Sequence, residues 1–277
     1  WARTDIDHFI LAKLEEKKLK PVADADAATL ARRLYLDLTG LPPPPDATAD
    51  IDRLLDSRQF AERWARHWLD VARFAETTGR DVNVTMPEAW RYRDYVIDAF
   101  QRDMPFDQFI REQIAGDLLP DSGDADRAKK LVATGFLAVG PKPLNGTDPR
   151  QFAVDLADEQ IDAVSQAFMG MTISCARCHD HKFEPITQKD YTALAGIFLS
   201  TETRFGTVGG VQGRNASSLI EVPDSGGLKK TSRHMDPAAW ARSSRRWPRP
   251  WATSCCAVPT ACGLTNWRWW WTTPSKA

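Results

Sequence analysis

The stretch that organises the chain is Cys175-Ala176-Arg177-Cys178-His179, continued by Asp180-His181-Lys182-Phe183. Two cysteines in C-x-x-C spacing with a histidine directly after the second form the attachment pattern of c-type haem. Thiols three residues apart can reach two vinyl groups of one porphyrin, and the next imidazole then lies under the ring, where it can bind iron. The spacing therefore predicts covalent haem on Cys175 and Cys178, with His179 as the proximal ligand.

Two other interpretations of this motif remain open. A zinc knuckle would use Cys175, Cys178 and either His179 or His181, because thiolates and imidazoles are the usual zinc ligands. A redox or structural dithiol would use the two cysteines alone. A haem protein would be coloured, whereas a zinc protein would be colourless and would unfold when a chelator removes the metal.

The composition is that of a soluble globular protein. The chain has 277 residues, of which 43% are hydrophobic and 26% charged, with a net charge of -1. No uncharged apolar run reaches the roughly 18 residues that a transmembrane helix needs, so we expect no transmembrane segment. The chain starts at Trp1 without Met or signal peptide. We therefore expect a fragment of a longer precursor that is periplasmic or secreted, because haem is attached covalently outside the bacterial cytoplasm.

The last fifty residues differ sharply from the rest. Residues 228–277 hold nine Lys or Arg and one acidic residue, a charge of +8, whereas the remaining chain has 27 basic and 36 acidic residues, a charge of -9. This tail also contains seven of the eleven Trp. A basic, Trp-rich tail can bind nucleic acid or a membrane surface. Because it lacks helical or strand periodicity, we predict instead a frame-shifted or disordered tail with no nucleic-acid partner. Residues 206–227 are Gly/Ser-rich and predict a linker or the start of a β-like extension.

The pattern upstream of the tail predicts an all-α protein. Residues 1–205 read as an irregular multi-helix domain with the C-x-x-C-H motif in a loop between the last two helices. A first helix is capped by Thr4 or Asp5, and a last one starts near Thr187. The helices between them are predicted at 27–38, 46–56, 60–77, 87–102, 106–119, 124–139 and 149–171.

The helix predicted at 60–77 carries a histidine of interest. At 100° per residue its apolar face would hold Phe60, Trp64, Trp68, Val71 and Phe74, with His67 among them. A buried histidine must hydrogen-bond, stay neutral or bind a metal. His67 is therefore either a satisfied core histidine or the distal ligand of a six-coordinate haem. His181 is too close to His179 in sequence to reach the opposite face of a porphyrin.

Two charged groups of residues are further candidates for a site. The helix predicted at 149–171 carries an acidic stripe, which helical spacing favours as a solvated face: Asp155, Asp158, Glu159 and Asp162. A hydrolase or oxidoreductase that uses loops around Arg91, Arg93 and Asp94 is a third functional class. Whether the chain is an enzyme stays open on the sequence.

Several stretches resemble one known family. The motif region from Cys175 to Ile186 continues into Asp190-Tyr191 and the segment 193–198. Three further stretches agree with it: Glu62 to Asp70, Trp90 to Asp94, and Arg111 to Pro120. Together with Leu36 to Pro42 they make residues 4–205 similar to the planctomycete-type cytochrome-associated family (PSCyt type, domain of unknown function 1549).

That resemblance implies export and a cytochrome c-like role. Family members are predicted to be secreted and often carry an N-terminal cytochrome domain and a large C-terminal domain of unknown function. We therefore expect a haem-binding module for electron transfer, whose partners are a redox protein or additional domains of a longer chain. A fused or partner enzyme would act on polymers or carbohydrates. The resemblance does not extend to residues 228–277.

Overall fold

A computed structural model describes residues 2–80, 82–146, 148–206 and 217–222. These residues belong to one compact unit, Trp1–Ser225. Across the described ranges the secondary structure is helical and contains no strand, which confirms the all-α prediction. The nearest approach to a sheet is one isolated bridge between Thr77 and Thr85. The predicted tail at 228–277 lies outside the described residues, as does much of the predicted linker.

The first four helices lie between residues 5 and 71. α1 begins with the predicted cap, because the Thr4 hydroxyl accepts from the Asp7 amide and the Asp7 carboxylate accepts from the Thr4 amide. The helices are α1 Asp5–Glu16, α2 Ala27–Leu38, α3 Ile51–Leu55 and α4 Arg58–Val71. α3 is shorter than predicted because the Asp50 side chain caps its start and the Ser57 side chain caps α4 soon after.

Five α-helices follow in the rest of the described chain. They are α5 Trp90–Gln101, α6 Phe106–Ala115, α7 Asp124–Ala133, α8 Pro149–Val164 and α9 Gln188–Leu199. α8 continues into a π-helical turn, Ser165–Met169, and stops at Gly170 in the left-handed conformation. A short 3-10 helix, Ile173–Arg177, precedes α9. Of the described helices, none has the length and apolar character needed to cross a bilayer.

α4 ends six residues before the predicted boundary. Arg73 takes the left-handed conformation (φ 56°), and the Phe74 amide donates to the Leu69 carbonyl at 2.9 Å. This is the helix-terminating geometry that glycine usually provides. A non-glycine residue there is strained, and its placement directs the Arg73 side chain towards α8, where it meets Glu159.

The buried face of α4 differs from the predicted one. Small side chains line it, at Ala61, Ala65 and Ala72 together with Leu69. By contrast, Trp64 is 40% exposed. α4 and α5 are the most extensively packed helix pair, and alanines allow such close approach whereas a row of large aromatic rings does not. The apolar-face prediction was therefore wrong for α4, although Trp68 and Phe74 do pack against the central core.

His67 is exposed, so the prediction that it is a buried histidine was wrong. Its ring lies edge-on to Trp64, with 5.5 Å between ring centroids. The two residues share the outer side of α4, because the alanine stripe occupies the inner side. The need for a buried hydrogen-bond partner or a metal therefore does not arise at this position.

A polar network lies inside the central core. The Trp68 indole N–H lies 3.0 Å from both the Tyr92 hydroxyl and the Gln113 Oε1 atom, and the Tyr92 hydroxyl donates to that Oε1 atom at 2.6 Å. Gln113 is completely buried. Burial raises the pKa of Tyr92. Three elements, α4, α5 and α6, are thus joined by hydrogen bonds that water cannot replace.

A second apolar cluster lies under the cysteine motif. It consists of Ile161 on α8, Ile173 and Ala176 in the 3-10 helix, and Tyr191 on α9. All four side chains are buried. The motif therefore packs against α8 and α9, and these contacts determine which side chains of the motif face inwards.

Candidate functional site

The two cysteines of the motif face solvent. Cys175 lies in the 3-10 helix Ile173–Arg177 and Cys178 directly follows it. Both are free thiols with exposed side chains, whereas Ala176 between them is completely buried. Because a helical turn spreads successive side chains around its axis, burial of Ala176 turns both thiols outwards.

The histidine that follows has one nitrogen engaged and one available. The His179 Nδ1 atom lies 2.8 Å from the backbone carbonyl of Asp180. A carbonyl oxygen only accepts, so Nδ1 must carry the proton, and in the neutral ring Nε2 then keeps its lone pair. His179 is exposed. This tautomer leaves Nε2 as the ligand atom, and metal-binding histidines in general donate their other N–H to such a partner.

His181 has a different role, as the centre of the loop. Its Nδ1 atom accepts from the amides of Glu184 at 2.8 Å and Phe183 at 3.2 Å, while Nε2 lies 3.2 Å from the Thr172 hydroxyl. Only 6% of its side chain is exposed. Both ring nitrogens are therefore occupied within the loop. The prediction that His181 is a metal ligand gains no support from this arrangement.

The middle of the motif is held by α8. Arg177 Nη2 donates to Asp155 at 3.0 Å, and Arg177 Nη1 donates to Asp158 at 3.2 Å. The hydrogen bond to Asp155, together with the charge of Asp158, raises the pKa of Arg177. The Tyr191 hydroxyl donates to the other oxygen of Asp158 at 2.7 Å. Arg177 is thus held by two carboxylates of α8, and one of them, Asp158, also accepts a hydrogen bond from α9.

Further hydrogen bonds fix both ends of the motif. The Thr172 amide donates to both Glu184 oxygens, at 3.1 and 3.0 Å, which closes the loop from residue 172 to residue 184. The Ser174 hydroxyl donates to Asp162 at 2.9 Å. The first amide of α9, at Gln188, donates to Asp180 at 2.8 Å. Hydrogen bonds therefore hold the segment that carries the two thiols at Thr172, Ser174 and Asp180.

These contacts overturn the interpretation of the acidic stripe. Three of its members bind the motif segment, and the fourth, Glu159, pairs with Arg73 and Lys142 on its other side. The stripe is not a solvated face. The sequence pattern did not single out Arg177 and Tyr191 as partners of these carboxylates. The available indication was an arginine inside the motif, which needs a counter-charge, and carboxylates at helical spacing just upstream.

The remaining predicted residues are not gathered at the motif. His67 is on α4, and its described ring contact is with Trp64. Its role as distal ligand stays a prediction. Arg91 pairs with Glu88 at 2.7 Å, and Arg93 pairs with Glu76 and Asp94 at 3.2 and 2.9 Å. These three carboxylates already neutralise the two arginines, so the suggested Arg/Asp active site has no supporting geometry.

The motif offers fewer ligands than a closed zinc site needs. Within those ranges, no group of three or more His, Cys, Asp or Glu side chains is arranged to hold a metal ion. A tetrahedral zinc site needs four ligands, or three and a water. With His181 occupied by its loop, the motif itself offers two thiols and one imidazole.

Comparison with known proteins identifies one family. The profile described as "PSCyt2: Protein of unknown function (DUF1549)" matches residues 5–203. This range includes the motif, the clamp on Arg177 and the central core. No curated protein and no solved structure shows a significant match to the chain.

Proposed function

The chain belongs to the PSCyt2 family of proteins of unknown function, and we propose that this member is a c-type haem module for electron transfer. Cys175 and Cys178 carry the haem through thioether bonds, and His179 Nε2 binds the iron. The observation that carries the proposal is the state of these three side chains. Both thiols are free and exposed, and the imidazole is held in the tautomer that leaves Nε2 unprotonated.

When bound, the haem supplies one-electron chemistry at its iron, and the chain supplies orientation. The clamp on Arg177 fixes the backbone between the two attachment points. The Asp180 carbonyl keeps the proton on His179 Nδ1, which leaves Nε2 as the ligand atom. The proposed location is the periplasm or the exterior of the cell, because attachment occurs there. The proposed partners are a redox protein or further domains of a longer chain.

The test is to express the full chain with an exported leader in cells that attach haem to a control cytochrome c. We expect a red protein whose haem survives acid–organic extraction and denaturing electrophoresis. The variants Cys175→Ser and Cys178→Ser should each lose part of the resistance to extraction. Cys262→Ser, which lies outside the motif, is the matched control and should retain all of it.

A colourless protein from competent cells would overturn this proposal. The metal content of that protein would then decide the zinc alternative. One equivalent of zinc, lost together with the fold when a chelator is added, would support a structural zinc module. A metal-free colourless protein would exclude both haem and zinc. The remaining interpretation of the motif would then be a redox or structural dithiol.

A further inference from the structure

The side chain of Arg177, which lies between the two cysteines in sequence, is held by two ion pairs. Its terminal nitrogens donate to two carboxylates about one turn apart on α8, to Asp155 at 3.0 Å and Asp158 at 3.2 Å. The three side chains are between 27% and 37% exposed, so water shields these charges only partly. Charge-assisted bonds to two separate carboxylates fix the plane of a guanidinium more firmly than a single pair would.

The Asp158 carboxylate is itself held through both of its oxygens. Asp158 Oδ2 accepts from Arg177, and Asp158 Oδ1 accepts from the Tyr191 hydroxyl at 2.7 Å. Tyr191 is buried in the cluster under the motif. Asp158 is therefore held from α9 as well as by its own place on α8, and it cannot rotate away from Arg177 without breaking a short hydrogen bond.

The backbone of the motif is also held in place. The Gln188 side chain donates to the carbonyl of Arg177 at 3.2 Å, and Ala176 is completely buried. The peptide between the cysteines is thus held by packing on one side and by hydrogen bonds on the other. The thiols of Cys175 and Cys178 are the groups of this turn that remain exposed and unbonded.

We infer that Asp155 and Asp158 are positioning residues for the two thiols. Through Arg177 they set the separation and orientation of Cys175 and Cys178 before any cofactor is present. The site is then a pre-organised dithiol for a ligand that forms two bonds to sulfur. The importance of this arrangement for haem attachment rests on the proposed function, whereas pre-organisation is a property of the apoprotein.

Pre-organisation has a kinetic consequence. A bidentate ligand first reacts with one thiol, and the second bond then closes within the molecule. The rate of closure depends on the distance and angle between the sulfur atoms, whereas the first step depends on the reactivity of a single thiol. A clamp that acts on geometry changes the closure rate and leaves the first step unchanged.

The experiment uses the reduced full chain with Cys255, Cys256 and Cys262 replaced by serine, so that only the motif thiols react. Dibromobimane forms two carbon–sulfur bonds, breaks two carbon–bromine bonds and releases two bromide ions and two protons. Its fluorescence appears when both bonds have formed. Monobromobimane forms one such bond and measures single-thiol reactivity. Thermal unfolding of each variant checks that it is folded.

We expect Asp158→Asn and Arg177→Gln to slow closure about tenfold while the monobromobimane rate is unchanged. Asp158→Glu should restore part of the rate, because it keeps the charge. Asp70→Asn removes the exposed pair with Arg66 on α4 and is the matched control, with no expected change. The inference would be overturned if Asp158→Asn and Arg177→Gln both closed as fast as the chain with an intact clamp. It would also be overturned if the dibromobimane and monobromobimane rates fell by the same factor. Normal closure in an unmodified chain that never acquires haem would overturn the proposed function and leave this inference standing.

Discussion

The Lys142 Nζ atom lies 3.2 Å from Oε2 of Glu159, and none of the Lys142 side chain is exposed. The same ammonium donates to the carbonyls of Val139 at 3.1 Å and Gly140 at 3.3 Å, so its three N–H bonds are all used. The other oxygen of Glu159 accepts from Arg73 at 2.8 Å. One carboxylate on α8 therefore holds the end of α4 and the segment before α8 in place.

Replacement of this carboxylate should be strongly destabilising. In Glu159→Gln the buried ammonium of Lys142 and the guanidinium of Arg73 lose their shared counter-charge. We expect the free energy of unfolding to fall by about 3–5 kcal/mol, as for a broken buried ion pair. The control is Glu62→Gln, which removes an exposed pair with Arg58 and should cost about 0–1 kcal/mol. Urea unfolding measures both, and equal losses would contradict the prediction.

The buried lysine also predicts a dependence of stability on pH. Burial lowers the pKa of Lys142 below its ordinary value of 10.5, and the charge of Glu159 opposes this only partly. Between the lowered pKa and 10.5, the unfolded chain binds more protons than the folded chain. The free energy of unfolding therefore rises with pH across that window, and this added stability is lost as the pH falls through it. The free energy of unfolding of the wild type, minus that of Lys142→Met, should therefore rise from neutral pH towards 10.5. A constant difference in urea unfolding would contradict it.

The alanine stripe of α4 gives a test of the corrected helix face. Ala65 is completely buried at the contact with α5, so Ala65→Leu should overpack it and cost about 1–3 kcal/mol. Trp64→Gln changes a much larger but exposed side chain and should stay within about 0.5 kcal/mol of the wild type. Urea unfolding compares the two. A larger loss at Trp64 than at Ala65 would restore the face predicted from the sequence.

The side-chain amide of buried Gln113 should stabilise the fold through its hydrogen bonds. Gln113→Leu keeps a similar volume but removes the acceptor of the Tyr92 hydroxyl and of the Trp68 indole N–H. We expect a loss of about 1–3 kcal/mol, because a buried donor is left without a partner. The same change at exposed Gln59 should have little effect. An unchanged midpoint of denaturation for Gln113→Leu would show that the network adds no stability.

The distal-ligand hypothesis for His67 remains open to a spectroscopic test. Because the side chain is exposed, His67→Ala should fold normally. A change in the spectrum of the haem-loaded variant would then not be caused by unfolding. If His67 binds the sixth position, the ferric spectrum should change from low-spin to high-spin while the haem stays attached. An unchanged spectrum would assign His67 to the surface of α4.

Much of the helical outline was predicted from local rules. The capping box at Thr4, the extent of α2 and the cap at Thr187 depend on hydrogen bonds that span only three or four residues. The end of α4 depends instead on a contact between distant residues. The early end of α4 serves the contact between Arg73 and Glu159, which are 86 residues apart. A pattern read along one helix contains no information about such a partner.

The sequence by itself determined the helical class through its periodicity, and the three side chains proposed to hold a cofactor through their spacing within a few residues. It also determined the family, through the resemblance along residues 4–205. Tertiary structure decided the rest. It made His181 the centre of a loop, joined Arg177 to Asp155 and Asp158, and turned alanines inwards on α4. The physical reason is that burial and charge pairing depend on which elements meet in space, and close helix packing selects small side chains that a hydrophobicity pattern undervalues.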